Sequence, residues 1–95
     1  MYDPHPFESD TIYLSSELTV LTEDISESIH DLWGRKRLDE GRVWGSERSD
    51  LHHTNPRLVP YSELSETEKD DDRSLVLQTI RLILSKGYRI EKNAV

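Results

Sequence analysis

The sequence predicts an α+β fold that is mostly α, with two long helices joined by an ordered irregular crossover and short extended segments at the N-terminal arm and C-terminal tail. Two apolar periodicities with capping residues predict the helices, and a proline- and glycine-containing stretch between them predicts the crossover. The 95 residues suit a single domain. We divide it into an arm (1–14), a helix over about 15–40, a crossover (41–61), a helix over about 65–86 and a tail (87–95).

The arm contains two early prolines, which favour extended backbone, and we expect one short strand near Thr11–Leu14. The first helix follows Ser15 or Ser16, whose hydroxyls can cap free backbone amides. Gly41 is well suited to end that helix. Apolar residues at intervals of three and four form one stripe of an amphipathic helix: Leu18, Leu21, Ile25, Ile29 and Leu32.

The second helix starts at Ser65 and Glu68, which have the spacing of a capping box. Its main apolar stripe consists of Val76, Ile80, Ile83 and Leu84. A second stripe beside it consists of Leu75, Thr79 and Leu82. A helix that is apolar over so much of its circumference should meet more than one partner surface, so the second stripe is our candidate for self-association.

The composition favours a small soluble domain that gains burial by association. Hydrophobic residues make up 34% and charged residues 33% of the chain, and there is no cysteine. Disulfides and thiolate zinc sites therefore cannot compensate for a small core, and self-association remains. The net charge of −7 argues against nucleic-acid or anionic-membrane partners. No apolar run is long enough to span a membrane and the start has no signal-peptide character, so we expect a cytoplasmic protein.

The sequence offers no reason to expect an enzyme, a cofactor or a metal. No serine lies in a nucleophile elbow such as G-x-S-x-G, and no cysteine is present. The adjacent His52 and His53 lack the spacing of a helical metal site, and exposed or locally bonded histidines are the simpler interpretation.

The crossover and the helix before it contain an aromatic and arginine set: Trp33, Arg37, Trp44, Arg48, Arg57 and Tyr61. Arginine over aromatic faces can fix an irregular loop, which is the simpler interpretation. The same chemistry would bind a nucleotide or another small anionic, ring-bearing ligand by stacking and bidentate hydrogen bonds. We therefore take these six residues as candidate ligand-binding residues.

The order of motifs resembles the ryanodine receptor (RyR) domain along nearly the whole chain. Its opening of spaced prolines and an acid–threonine pair is matched by Tyr2, Pro4, Pro6, Asp10 and Thr11. Its helical histidine–acid, tryptophan and arginine are matched by His30, Asp31, Trp33 and Arg37. Its glycine, aromatic-glycine and arginine are matched by Gly41, Trp44, Gly45 and Arg48.

The later motifs follow in the same order. The run P-x-L-V-P-Y-x-x-L is matched by Pro56, Leu58, Val59, Pro60, Tyr61 and Leu64. E-K-x-x-D-R is matched by Glu68, Lys69, Asp72 and Arg73, and the ending G-Y-x-I by Gly87, Tyr88 and Ile90. The chain departs from the family at Arg42, where a second tryptophan is frequent, at His53 (often lysine), at Asn55 (often histidine) and at Asp71 (often aromatic).

The resemblance implies a two-helix module of the single-copy type found in bacterial and phage proteins. In the calcium-release channels two such repeats pack as a pseudo-twofold pair, so a lone copy is expected to form a homodimer or a larger assembly. The first hypothesis is a non-catalytic protein-interaction or regulatory module. The alternative is a ligand-sensing module for a small anionic or nucleotide-like molecule, since bacterial members resemble components of signalling or defence systems.

Overall fold

The protein consists of two long helices and an ordered crossover. The computed structural model describes residues 1–7 and 12–93. Helix α1 spans Ser16–Asp39, a 3₁₀ turn spans Tyr61–Glu63, and helix α2 spans Glu66–Ser85. In the described part of the chain the β structure is limited to two isolated bridges, both made by Thr54. The prediction of a mostly α fold with two helices and an ordered crossover is confirmed.

The extended ends of the chain form no strand where the structure describes them. Ile12–Leu14, which belong to the strand predicted near Thr11–Leu14, are irregular, and Thr11 lies outside the described residues. The tail from residue 88 to residue 93 is neither helix nor strand. A lone strand has no neighbour to complete its hydrogen bonds. An extended backbone in these short segments is therefore not enough to make a strand.

Both helices begin and end at the residues that the sequence marks for capping. The Ser15 hydroxyl oxygen accepts a hydrogen bond from the Leu18 amide at 3.2 Å. At α2 the capping box is complete, because Ser65 accepts from the Glu68 amide at 3.1 Å and the Glu68 carboxylate accepts from the Ser65 amide at 2.9 Å. Gly41 follows α1 with φ 87°, a left-handed conformation that favours glycine.

The buried face of α1 consists of polar side chains rather than apolar ones. Its members are Thr22, Ser26 and His30, spaced one helical turn apart. Ser26 is fully buried and donates its hydroxyl to the Thr22 carbonyl at 2.8 Å. Thr22 donates in turn to the Leu18 carbonyl at 2.8 Å. These local bonds satisfy the hydroxyls, so Thr22 and Ser26 are buried without an unpaired donor.

The apolar stripe of α1 therefore lies beside the buried face and remains partly exposed. Leu32 is 64% exposed, and Leu21 and Ile29 are also exposed. Toward the start of α1, Leu18 and Leu21 line a groove together with Ile90 of the tail. The core contributed by the other elements consists of Val76 and Ile80 on α2 and of two residues just before α2: Tyr61 and Leu64.

Candidate functional site

A cleft of about 620 Å³ lies between the second half of α1, the crossover and the first half of α2. This volume is in the range of about 300–1,000 Å³ that is usual for small-molecule sites. It is lined from α1 by Ile29, His30 and Trp33, from the crossover by Arg48, Asn55, Pro56 and Arg57, and from α2 and the turn before it by Leu64, Glu68 and Asp72.

Thr54 holds the part of the crossover that carries Arg48. The Ser49 amide donates to the Thr54 carbonyl at 3.1 Å, and the Thr54 amide donates to the Ser49 carbonyl at 3.0 Å. The Thr54 hydroxyl donates to the Glu47 carbonyl at 2.8 Å. Thr54 thus forms hydrogen bonds with the residues on both sides of Arg48. These bonds position the backbone at Arg48 without a hydrogen bond from the Arg48 side chain.

Gly45 allows this arrangement because it packs directly against Thr54. A Cβ atom on Gly45 would lie 2.5 Å from the Thr54 Cβ and 2.8 Å from its Cγ2. No side chain fits at that distance, and the threonine could not move without breaking the hydrogen bonds around Arg48. The requirement for glycine at this position comes from close packing.

The aromatic wall of the cleft is anchored by His30. Its Nε2 lies 2.7 Å from the Val59 carbonyl oxygen. A carbonyl can only accept, so Nε2 carries the hydrogen and donates it. The ring of His30 stacks on Trp33 at 5.5 Å between centroids, with an interplanar angle of 28°. This contact restrains the half-buried indole of Trp33 at the edge of the cleft.

The two arginines that line the cleft differ in their partners. Arg57 lies 3.3 Å from a Glu68 oxygen and donates to Asp71 at 2.8 Å. The Ser65 backbone amide is the main cause that lowers the pKa of Glu68 below its ordinary value, with Arg57 a smaller one. Across residues 1–7 and 12–93, Arg48 makes no hydrogen bond and no ion pair. The cleft therefore offers one neutralised guanidinium and one free guanidinium.

Half of the six candidate ligand residues lie together. Trp33, Arg48 and Arg57 line the cleft. Arg37 instead pairs with Glu40 at 3.0 Å near the end of α1. Trp44 is 57% exposed and does not line the cleft.

Tyr61 belongs to the core, and its expected role in ligand binding stays a prediction. It is only 5% exposed, and its hydroxyl donates to Glu23 at 2.9 Å. The ammonium of Lys69 lies 5.3 Å from the centre of its ring, a cation–π contact. Its hydroxyl and one face of its ring thus have partners within the protein.

The cleft also contains residues that the sequence did not mark as site residues. The principal ones are His30, Asn55 and Asp72. His30 lies one helical turn before Trp33, and that spacing alone could have indicated a stacked pair. Asn55 and Asp72 come from distant parts of the chain, so only the packing of the crossover on α2 brings them to the same cleft.

Within 1–7 and 12–93, no group of three or more histidine, aspartate or glutamate side chains could hold a metal ion. His52 and His53 are exposed, and His53 has φ 55° in the turn that leads to Thr54. In the same part of the chain, neither helix combines the length and apolar character needed to cross a bilayer.

The second stripe of α2 faces outward. Leu75 is 66% exposed and Leu82 is 36% exposed, whereas Val76 and Ile80 of the main stripe are buried. Thr79 is exposed between the two leucines, and its hydroxyl donates to the Leu75 carbonyl at 2.8 Å. The three candidate self-association residues thus form a surface, called the α2 outer face below, that the described residues of the chain leave exposed.

The fold defines a small two-helix module with an ordered crossover. The sequence model of the RyR domain family matches residues 2–92 of the chain. The match covers nearly the full length, so the chain belongs to the RyR domain family.

Proposed function

We propose that the chain is a non-catalytic protein-interaction module that associates with a second copy of itself through the α2 outer face. The observation that carries this proposal is the imbalance between buried and exposed apolar side chains. Among the described residues, the buried apolar side chains are only Tyr61, Leu64, Val76 and Ile80. Large apolar residues on both helices remain exposed, so the chain has apolar surface that a partner would bury.

The surface area supports the same proposal. The accessible area is 7680 Å², whereas a compact monomer of this mass exposes about 5,700 Å². The radius of gyration is 16.5 Å, compared with about 12 Å for a compact domain of this length. The excess of about 2,000 Å², to which the exposed residues 1–7 contribute, is larger than the roughly 800 Å² that each partner contributes to an interface of standard size.

The α2 outer face suits a twofold contact between identical helices. In such a contact the same residues meet their own copies, so one apolar stripe is sufficient. Thr79 lies between the two leucines, and its hydroxyl hydrogen is already donated to the Leu75 carbonyl. It therefore brings no unpaired donor into an interface, which removes the usual cost of burying a hydroxyl.

Light scattering after size exclusion at tens of micromolar tests this proposal. We expect a dimer for the unaltered chain and a monomer for Leu75→Glu, with unchanged helical circular dichroism. Leu51→Glu is the matched control, because Leu51 is an equally large exposed leucine in the crossover. A monomeric unaltered chain would contradict the proposal, as would equal effects of the two variants.

A second candidate function is the binding of a small anionic, ring-bearing ligand in the cleft. The specific observation that favours it is the free guanidinium of Arg48 in a cleft that also contains the restrained indole of Trp33. Arginine binds carboxylate and phosphate groups by paired hydrogen bonds, and an indole offers a stacking face.

A thermal-shift screen of nucleotides and related metabolites tests the second candidate. A ligand that binds only the folded chain raises Tm by mass action. Arg48→Ala should abolish the shift, whereas Arg89→Ala in the tail should leave it unchanged. A shift that survives Arg48→Ala would exclude Arg48 as the anion-binding residue.

A further inference from the structure

The cleft contains two unpaired charges of opposite sign on separate elements. Four charged side chains line it, and two of them, Arg57 and Glu68, lie within ion-pair distance of each other at 3.3 Å. The other two are Arg48 on the crossover and Asp72 on α2. Over the described residues 1–7 and 12–93, neither has an ion pair or hydrogen bond.

Asp72 is not neutralised by the arginine that follows it. Arg73 is fully engaged with three carboxylates elsewhere, those of Glu23, Glu66 and Asp70. Asp72 is half-buried, in contrast to the exposed Asp70 and Asp71 on either side. A partly desolvated carboxylate without a donor is unfavourable, so a donor supplied by a ligand would be worth more here than on the open surface.

Asn55 adds a donor with a defined orientation. Its side-chain oxygen accepts from the Arg57 amide at 2.8 Å. That bond assigns the oxygen and leaves the side-chain NH₂ group as the available donor. The polar groups open to a ligand are therefore two donors on the crossover, Arg48 and Asn55, and one acceptor on α2, Asp72.

We infer that the cleft takes an amphoteric planar ligand, with its anionic group on Arg48, its amino group on Asp72 and its ring against Trp33. This inference rests on the second candidate function and narrows it. A ligand that is only anionic would leave Asp72 unpaired and would be repelled by it. A ligand with an oxo group in place of the amino group would set an acceptor against a carboxylate.

Matched pairs of nucleoside monophosphates are suitable probes, since the members of a pair differ only at one exocyclic group of the base and in the protonation of the ring nitrogen beside it. AMP and CMP present an amino group, and their partners IMP and UMP present an oxo group there. Calorimetric titration of the unaltered chain should give affinities about tenfold higher for the amino member of at least one pair, because a partly desolvated carboxylate that faces an acceptor carries a cost of that order.

Two substitutions separate the roles of the charges. Asp72→Asn replaces an acceptor by a group that can also donate, so it should remove the preference for the amino member. Arg48→Ala should weaken both members of a pair by a similar factor. Asp31→Asn, an exposed carboxylate on α1, is the control and should leave the preference unchanged. Circular dichroism and melting of each variant establish that the fold is retained.

The outcomes distinguish the inference from the function on which it rests. If affinities are equal within both pairs and Arg48→Ala weakens them, the inference of an amphoteric ligand is overturned. Anion binding by the cleft is left intact by that result. Tighter binding of the oxo members would overturn it as well. Absence of saturable binding for all four nucleotides would overturn both the inference and the second candidate function. The measurement on the unaltered chain is decisive even if Asp72→Asn fails to fold.

Discussion

Arg73 on α2 binds the carboxylate of Glu23 on α1 through two nitrogens of its guanidinium. Its Nε donates to Oε2 at 2.7 Å, and its Nη2 donates to Oε1 at 2.8 Å. Tyr61, in the turn before α2, donates to the same Oε1 at 2.9 Å. One carboxylate thus joins three elements, in a bidentate geometry that lysine cannot reproduce.

Arg73→Lys should lower the urea midpoint of unfolding, even though the charge is kept. A lysine offers a single point of contact and cannot donate to both carboxylate oxygens along parallel directions. Arg89→Lys in the exposed tail is the control and should leave the midpoint unchanged. Equal midpoints for Arg73→Lys and the unaltered chain would show that the charge of Arg73 is sufficient without its fork geometry.

Stability should fall in acid, and Glu23 should account for part of the fall. The hydrogen bond from Arg73, followed by that from Tyr61, holds the pKa of Glu23 below its ordinary 4.5, against the opposing effect of partial burial. The unfolded chain then binds this proton more readily, so the stabilisation is complete above pH 4.5 and is lost as pH falls through the lower folded value.

Urea unfolding at about pH 7 and about pH 3 measures this dependence. Glu23→Gln should be less stable than the unaltered chain at neutral pH. Its free energy of unfolding should fall by less on acidification. The variant should still lose some stability in acid, because the pKa values of two other carboxylates are also lowered. Arg73 lowers the pKa of Glu66, and the Ser65 backbone amide lowers that of Glu68. Parallel pH profiles for the two proteins would rule out a contribution from Glu23.

Gly45→Ala should destabilise the chain by about 1–3 kcal/mol, the usual cost of overpacking. The added methyl group would meet Thr54 at 2.5 Å and disturb the hydrogen bonds that flank Arg48. Gly34→Ala is the matched control, since its nearest neighbour would be Leu58 at 4.0 Å. In the middle of α1 it should stabilise by about 0.5–1 kcal/mol. Both values come from chemical denaturation, and effects of the same sign would contradict the packing described at Gly45.

Ser26→Leu should destabilise by about 1–3 kcal/mol because it forces α1 and α2 apart. Ser26 is fully buried, whereas Ser28 lies exposed on the same helix. Ser28→Leu should therefore change the free energy of unfolding by less than about 0.5 kcal/mol. Comparable losses for the two variants would mean that Ser26 does not lie at the closest approach of the helices.

Local patterns explain the parts of the fold that the sequence predicted well. Ser15 and Ser65 cap the helices through bonds that span only three residues, and Gly41 and Gly87 both adopt left-handed conformations just after them. These features depend on neighbours in the chain, so they can be inferred without knowing the tertiary structure.

The site residues are harder to infer from the sequence, for a physical reason that Tyr61 and Asp72 illustrate. Tyr61 has the chemistry of a ligand-binding residue, but Glu23, 38 residues away, takes its hydroxyl. Asp72 looks like one of several acids at a helix start, but it lines the same cleft as Arg48 of the crossover. Which polar group is satisfied and which is left free depends on partners that are remote in the chain.

The sequence by itself determined the two helices, their ends and the presence of an ordered crossover, because caps and apolar periodicity act over one or two helical turns. Only the tertiary structure decided that α1 buries Thr22, Ser26 and His30 instead of its leucine stripe. Hydrophobicity favours the stripe, but Thr22 and Ser26 tolerate burial because their hydroxyls donate to carbonyls of the same helix. The same packing leaves Arg48 and Asp72 unpaired in one cleft. No local rule predicts this arrangement, because only the folded chain brings the two residues together.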